Sequence, residues 1–465
     1  MWPSELFDRA YSRNVLEEVQ PLRAARTRGL TAAAAAGEAF ALRGAVITPD
    51  AAWDDGYVVV EGDTIADVRR DAPAGVADIV DTEGVILPGL IDLHGHPEFN
   101  VFAAWEPPRR FGNRYQWRSS EIYHQLVRDP QNILLTKVPA KTQLRYAEIR
   151  ALTGGVTAIQ GASGATQSPD NEPLVRNVDL WIFGQHRARA MIDLPSSTSS
   201  RDYPRLQKIL TAIGGNEIDA FYLHLCEGVR GDQRSESEFR RFLEYGAATP
   251  GTVVIHASAC SAGQIHQLAD AGCKLVWSPQ SNLRLYGDTT LAAEAIGAGM
   301  PVALGADWLP SGSTSLLTEL KVARRVLARQ GLDLPAAELV HMITAGAAHV
   351  AGLADHLGSL RSGRAADILV LERHHTDPYE NVTLADPSWV QLVLIGGDVA
   401  YGRTEWFSRL VAAPQNPSVE HLLAWGKPMT IDSGFHSTPQ QPAPPLSTLR
   451  SLLTAAYPPV GPIFA

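Results

Sequence analysis

The run "LPGLIDLHGHPEFN", residues 87–100, carries an apolar strand into two histidines one residue apart, and its reading decides the fold. On an extended chain alternate side chains point the same way, so Leu90, Asp92, His94 and His96 share one face and Ile91 and Leu93 the other. Both imidazoles can therefore reach one point, where a zinc-like ion takes nitrogen or oxygen donors at about 2 Å. The pair alone is a weak signal, because histidines at a loop entrance are commonly just solvated.

Three later apolar runs end in the same fashion. "AFYLHLCEG" (220–228) places His224 at its carboxyl end, "GTVVIHASA" (251–259) places His256 there, and "PVALGADW" (301–308) places Asp307 there. The other ten of the 14 histidines fall in helical or loop contexts and read as structural or surface residues. From His224 to His256 is roughly the length of one strand-helix unit and from His256 to Asp307 about two, so Asp307 is expected to close the last strand of a repeating β/α arrangement.

Between residues 86 and 356 short apolar strands alternate with helical stretches such as "TSLLTELKVARRVLARQG" (314–331). The strands read are "GVILPGLIDL", "GVTAIQGA", "VDLWIF", "AFYLHL", "GTVVIHA", "CKLVWS" and "PVALGAD", with a weaker fourth near "RAMIDL". This alternation predicts an α/β chain with a (β/α)8 TIM barrel, whose chemistry sits at the carboxyl ends of its strands. A doubly wound sheet is the competing reading, but no Gly-rich turn of the GxGxxG type follows the first strand. Residues 41–85 and 357–405, with β-branched runs cut by Pro-Asp and Gly-Asp turns, flank the barrel and are expected to pair into one composite β-sandwich domain. Residues 1–40 read as an N-terminal helical extension, and 406–465, with "QQPAPPL" and "YPPVGP", as a proline-rich C-terminal extension wrapping the surface or an oligomer neighbour.

Composition narrows the partners. With 465 residues, 45% hydrophobic and 19% charged, the chain can bury a large core, and its net charge of −10 is spread rather than blocked. That pattern favours a small-molecule substrate over nucleic acid or a membrane surface. Cys226, Cys260 and Cys273 form no CxxC pair and fit a reducing compartment. The opening "MWPSELFDRAYSRN" lacks the apolar stretch of a signal peptide, so cytoplasmic residence is expected, with association into a homo-oligomer. "RGD" at 230–232 and the "NVT" sequon at Asn381 recur by chance and carry no reading without a secretory route.

"PGLIDLHGH", "HLCE" (224–227), "SPQSNLRL" (278–285), "LGADW" (304–308) and "LGSLRSGRAADILVL" (357–371) together resemble the amidohydrolase superfamily, within it the mononuclear group of cytosine deaminase and triazine hydrolases. The resemblance covers residues 42 to about 402. It implies that His94, His96, His224 and Asp307 hold one divalent ion, Zn2+ or Fe2+, and that Glu227, His256 and Asp307 carry the catalysis. It further implies hydrolysis of a C–N bond other than a peptide, foremost the deamination of an N-heterocycle by metal-activated water. Two alternatives stand beside it: hydrolysis of a cyclic or linear amide, as in imidazolonepropionase-like relatives, and a non-catalytic scaffold. The binuclear branch carries a carboxylated lysine on strand 4, whereas Lys208 here reads as helical. For Glu227 by itself an exposed loop carboxylate is the competing reading, and for Asp307 a helix N-cap.

Residues 97–150 form an insertion after the first barrel strand that contains "WEPPRRFGNRYQW" (105–117). Loops after barrel strands build the pocket, so Trp105, Arg109, Arg110, Tyr115 and Trp117 are candidates for stacking on a ring or pairing with an acidic group; a lid packed by its own aromatics is the alternative. Many deaminases of the group have a glutamine soon after the histidine pair, where this chain offers Glu98 and Asn100. Ser278 and Asn282 on the strand-7 loop and Trp308 beside Asp307 complete the substrate-binding candidates. Asp92 either steadies an imidazole or joins a buried ion pair.

Overall fold

The computed structural model describes residues 39–161, 173–411, 418–434 and 443–464. The helical extension expected over residues 1–40 lies outside them except for its last two positions, and Phe40 already begins a strand.

Two strand systems meet at one residue. β1 (Phe40–Ile47), β2 (Ala52–Glu61), β3 (Thr64–Arg69) and β4 (Asp78–Pro88) come first, and Gly89 alone separates β4 from β5 (Leu90–Asp92). A Cβ at Gly89 would lie 2.3 Å from the Thr157 side chain, so the junction leaves no room for one. β6 (Val156–Ile159) and β7 (Arg176–Asn177) pair parallel to β5 in a three-stranded sheet. β8 (Ala188–Met191), β9 (Ala220–Leu225), β10 (Thr252–His256), β11 (Lys274–Trp277) and β12 (Val302–Leu304) form a parallel five-stranded sheet in sequential order. The two parallel sheets are stitched where β5 and β12 end: Asp307 N–H donates to the His94 carbonyl at 2.8 Å, and Gly95 bridges Asp307 in parallel. Gly305 permits this approach, since a Cβ there would meet His94 Cβ at 2.4 Å.

The flanking segments pair into one mixed sheet of nine strands. β13 (Ile368–Leu371) lies antiparallel to β4, joining the late segment to the early one, and β14 (Val390–Ile395) and β15 (Asp398–Arg403) follow. β16 (Val419–Ala424) and β17 (Lys427–Asp432) extend that sheet from within the segment read as a surface extension, and the helix Leu446–Ala456 packs against the helix Ala140–Thr153.

The third strand differs from its expected position. "VDLWIF" (178–183) is a turn in which Ile182 and Gln185 bridge each other, and the strand is Arg176–Asn177 just before it. Val178 and Ile182 are apolar because they fill the core beneath the parallel strands. Arg176 instead reaches across to the nine-stranded sheet, where it pairs with Asp367 at 2.8 Å. The fourth strand lies where the weak "RAMIDL" signal put it, and Lys208 sits in the helix Tyr203–Gly214.

Candidate active site

The carboxyl ends of β5, β9, β10 and β12 converge. Donor atoms of His94, His96 and His224 lie within 4.8 Å of one another, as do those of His94, His256 and Asp307. His94 Nε2 is 3.3 Å and His96 Nε2 3.9 Å from Asp307 Oδ1. His256 and Asp307 adopt φ of 67° and 59°, left-handed values that non-glycine residues seldom take and that mark backbone held by its surroundings.

Burial decides the charge of these groups. It pushes the His96 and His256 imidazoles down to about 3, helped by neighbouring His94, and drives His224 well below its ordinary value for the same reasons. Burial also opposes the charge on Asp307, but the facing imidazoles of His94, His256 and His96 outweigh it and hold the carboxyl well below the usual carboxylate range. At neutral pH His96, His224 and His256 thus present uncharged imidazoles and Asp307 a carboxylate, the protonation states in which these groups bind a metal. His94 Nε2 and His224 Nδ1 are buried with no hydrogen-bond partner, a costly arrangement that an ion would relieve.

Glu227 stands beside this cluster, its Oε2 3.8 Å from His256 Nε2. Burial raises its pKa, partly offset by Arg114 and by the Tyr286 hydroxyl, which donates to Oε1 at 2.5 Å. The Asn282 amide donates to His256 Nδ1 at 3.1 Å while its own oxygen accepts from Thr289 Oγ1. A neutral imidazole that accepts at Nδ1 carries its hydrogen on Nε2, so His256 offers a donor to the site. Asp92 accepts from the backbone N–H of His94 and Ala306, tying the ends of β5 and β12 together.

A cavity opens over the cluster, lined by His96, His224, Glu227, His256 and Asp307 below and by aromatic and cationic side chains above. Trp308 has its ring 5.4 Å from Phe99, 5.4 Å from Trp117 and 6.0 Å from Tyr123. Such a set of flat faces suits a planar ring. Arg114 and Arg118 also line the cavity, both paired with Asp193.

The substrate-binding candidates divide. Trp308 lines the cavity, and Asn282 reaches it through His256. Ser278 is fully buried at the start of the helix Pro279–Tyr286, its hydroxyl unpartnered. Glu98 is buried in the turn Pro97–Phe99, and Asn100 accepts from Leu309 N–H at 2.8 Å. Trp105 is buried against Tyr123, and Arg109 is exposed over the Phe111 ring; the cavity lining includes none of these four. Tyr115 pairs with Arg114 and Glu238, and Arg110 donates to the Arg284 carbonyl. Sequence reasoning missed Phe99, Arg114, Arg118, Tyr123, Ile192 and Tyr286. Only the aromatic and arginine content of the 97–150 insertion signalled part of that group.

The class to which this arrangement points is the amidohydrolases, and the Amidohydrolase family model matches residues 205–400. Among individual proteins, the chain is 26% identical over 330 residues to a 5-methylthioadenosine/S-adenosylhomocysteine deaminase of Teredinibacter turnerae, covering 63% of this chain and 73% of that protein. It is 26% identical over 414 residues to an imidazolonepropionase of Solibacter usitatus, covering 78% and 94%. It shares its fold with an adenosine deaminase of Xanthomonas campestris solved with bound zinc, at TM-score 0.61 and 18% identity over 81% of this chain and 94% of that one. No helix among the described residues is long and apolar enough to cross a membrane.

Proposed function

We propose that this chain is a metal-dependent amidohydrolase that deaminates an N-heterocyclic small molecule, with water attacking an sp2 carbon of a C–N bond. The observation that carries the reading is the convergence of His94, His96, His224 and Asp307 at the floor of an aromatic cavity, with Glu227 and His256 beside them. The deaminase named among the relatives supports the reaction class.

His94, His96, His224 and Asp307 would hold one divalent ion, zinc as in the adenosine deaminase neighbour or iron. A bound divalent ion lowers the pKa of water from roughly 15.7 to about 7 and so supplies a nucleophile at neutral pH. Asp307, ionised at neutral pH, would accept a proton from that water. Glu227, whose carboxyl burial shifts toward the protonated form, would pass a proton from Oε2 to the departing or ring nitrogen. His256 donates its Nε2 hydrogen to charge developing on the substrate. Phe99, Trp117, Tyr123 and Trp308 orient the ring and exclude water.

The eight parallel strands are read as a (β/α)8 barrel over residues 86–356, supported by the sequential pairing within each sheet and the stitch between β5 and β12. Residues 41–85 and 357–405 are read as its companion β-domain. Cytoplasmic residence and a homo-oligomer complete the reading; Leu423, 73% exposed, on the outermost strand of the nine-stranded sheet among the described residues, and Trp425, 55% exposed, in the turn after it support self-association.

The test is ammonia release from 5'-methylthioadenosine, S-adenosylhomocysteine and adenosine, run beside ring opening of imidazolone and lactam substrates. Ammonia from at least one purine is expected. The imidazolonepropionase relative, matched over 94% of its length, favours a second reading in which a cyclic amide opens with no ammonia formed. Absence of both reactions from metal-loaded protein overturns the enzyme reading.

A further inference from the structure

Glu227 is held by the insertion from two directions. Through the backbone, Arg114 N–H donates to the Glu227 carbonyl at 3.1 Å, Val229 N–H donates to the Gly112 carbonyl at 2.9 Å, and Asn113 and Gly228 form a bridge. Through side chains, Trp117 Nε1–H donates to the Tyr286 hydroxyl at 2.8 Å, and that hydroxyl lies 2.5 Å from Glu227 Oε1. Trp117 and Glu227 both line the cavity, while Tyr286 is buried behind them at the end of the helix Pro279–Tyr286.

The direction of this relay is fixed by chemistry. An indole N–H can only donate, so the phenol oxygen accepts from Trp117 and its single proton goes to Glu227. Oε1 is thereby committed as an acceptor. Because the carbonyl oxygen of a carboxyl accepts more strongly than its hydroxyl oxygen, a proton that Glu227 carries is favoured on Oε2, the oxygen that faces His256.

We infer that Tyr286 is a positioning residue that assigns the working proton of Glu227 to Oε2, and that Trp117 extends this control to the insertion covering the cavity. The inference rests on the deaminase reading of the same cavity. A ring seated against Trp117 fixes the indole, the indole fixes the phenol, and the phenol orients the carboxyl. The proton is then presented only on the side where the substrate lies. Without the phenol, Oε1 is a buried oxygen with no donor, and the proton can settle on either oxygen.

Two measurements on the metal-loaded full chain test this. With 5'-methylthioadenosine as probe, Tyr286→Phe should lower kcat about tenfold with KM nearly unchanged, a fraction of the ~10²–10⁴ that a general acid contributes. Trp117→Phe, which keeps the stacking ring, should lower kcat less, and should have no further effect in the Tyr286→Phe background. Additive losses, or an unchanged kcat, overturn the inference. The second measurement needs no substrate: in protein with 15N-labelled tryptophan, the Trp117 indole resonance, assigned by its loss in Trp117→Phe, should move in both Tyr286→Phe and Glu227→Gln. A resonance indifferent to Glu227→Gln overturns the relay. Purines that release no ammonia alongside a resonance that does move would overturn the deaminase reading while leaving the relay standing.

Discussion

His96 and His224 serve the site because burial keeps their imidazoles uncharged, the form that donates an electron pair to a metal. Elemental analysis should find about one equivalent of zinc or iron per chain, as a mononuclear site requires. His94→Ala and Asp307→Ala should each remove it; folded wild-type protein unable to take up metal would refute the assignment. A second buried group acts on stability instead. Glu148, 1% exposed in the helix Ala140–Thr153, has its pKa raised from 4.5 to about 7 by burial, against the pull of Arg145. The folded state therefore holds this proton more tightly than the unfolded chain. Its contribution is fully present below pH 4.5 and is lost as pH rises through about 7. Glu148→Gln should consequently stabilise the protein by up to about 3 kcal/mol at pH 8 and leave it nearly unchanged at pH 4.5, read as the denaturation midpoint at each pH. Equal effects at both pH values would show that the carboxyl is not the cause.

Among elements, the strand ends were legible and the contacts between distant elements were not. His224, His256 and Asp307 could be picked out because an apolar run closing on a polar residue is a local pattern. Tyr286 and Arg114 could not, because their partners Glu227 and Glu238 lie 59 and 124 residues away and no local spacing encodes such a meeting. The third strand misled for a related reason: "VDLWIF" is apolar to fill the core, and periodicity does not separate a packed turn from a buried strand. The seam between the insertion and the acid's loop is likewise invisible in sequence, yet it depends on one glycine. A Cβ on residue 228 would meet the Gly112 carbonyl at 2.5 Å. Gly228→Ala should therefore push the insertion off, speeding limited proteolysis within residues 97–128 and lowering turnover. An unaltered cleavage pattern would mean that the seam does not hold the insertion down.

Across the whole molecule, the alternation of strands and helices announced the parallel sheets, and the two flanking segments announced a shared sheet. β4 and β13 do pair, although residues 89–367 separate them. The extent of that sheet was hidden because β16 and β17 lie within the segment read as a proline-rich extension. The passage from β4 through Gly89 into β5 has a wider meaning. The strand that aims His94 and His96 is the continuation of a strand belonging to the other sheet. A gene fragment covering only the middle of the chain would begin partway along that rod and lose its anchorage. The heritable unit, whether shuffled by recombination or trimmed in the laboratory, is thus the discontinuous whole, with its two outer segments kept in step although they are translated far apart.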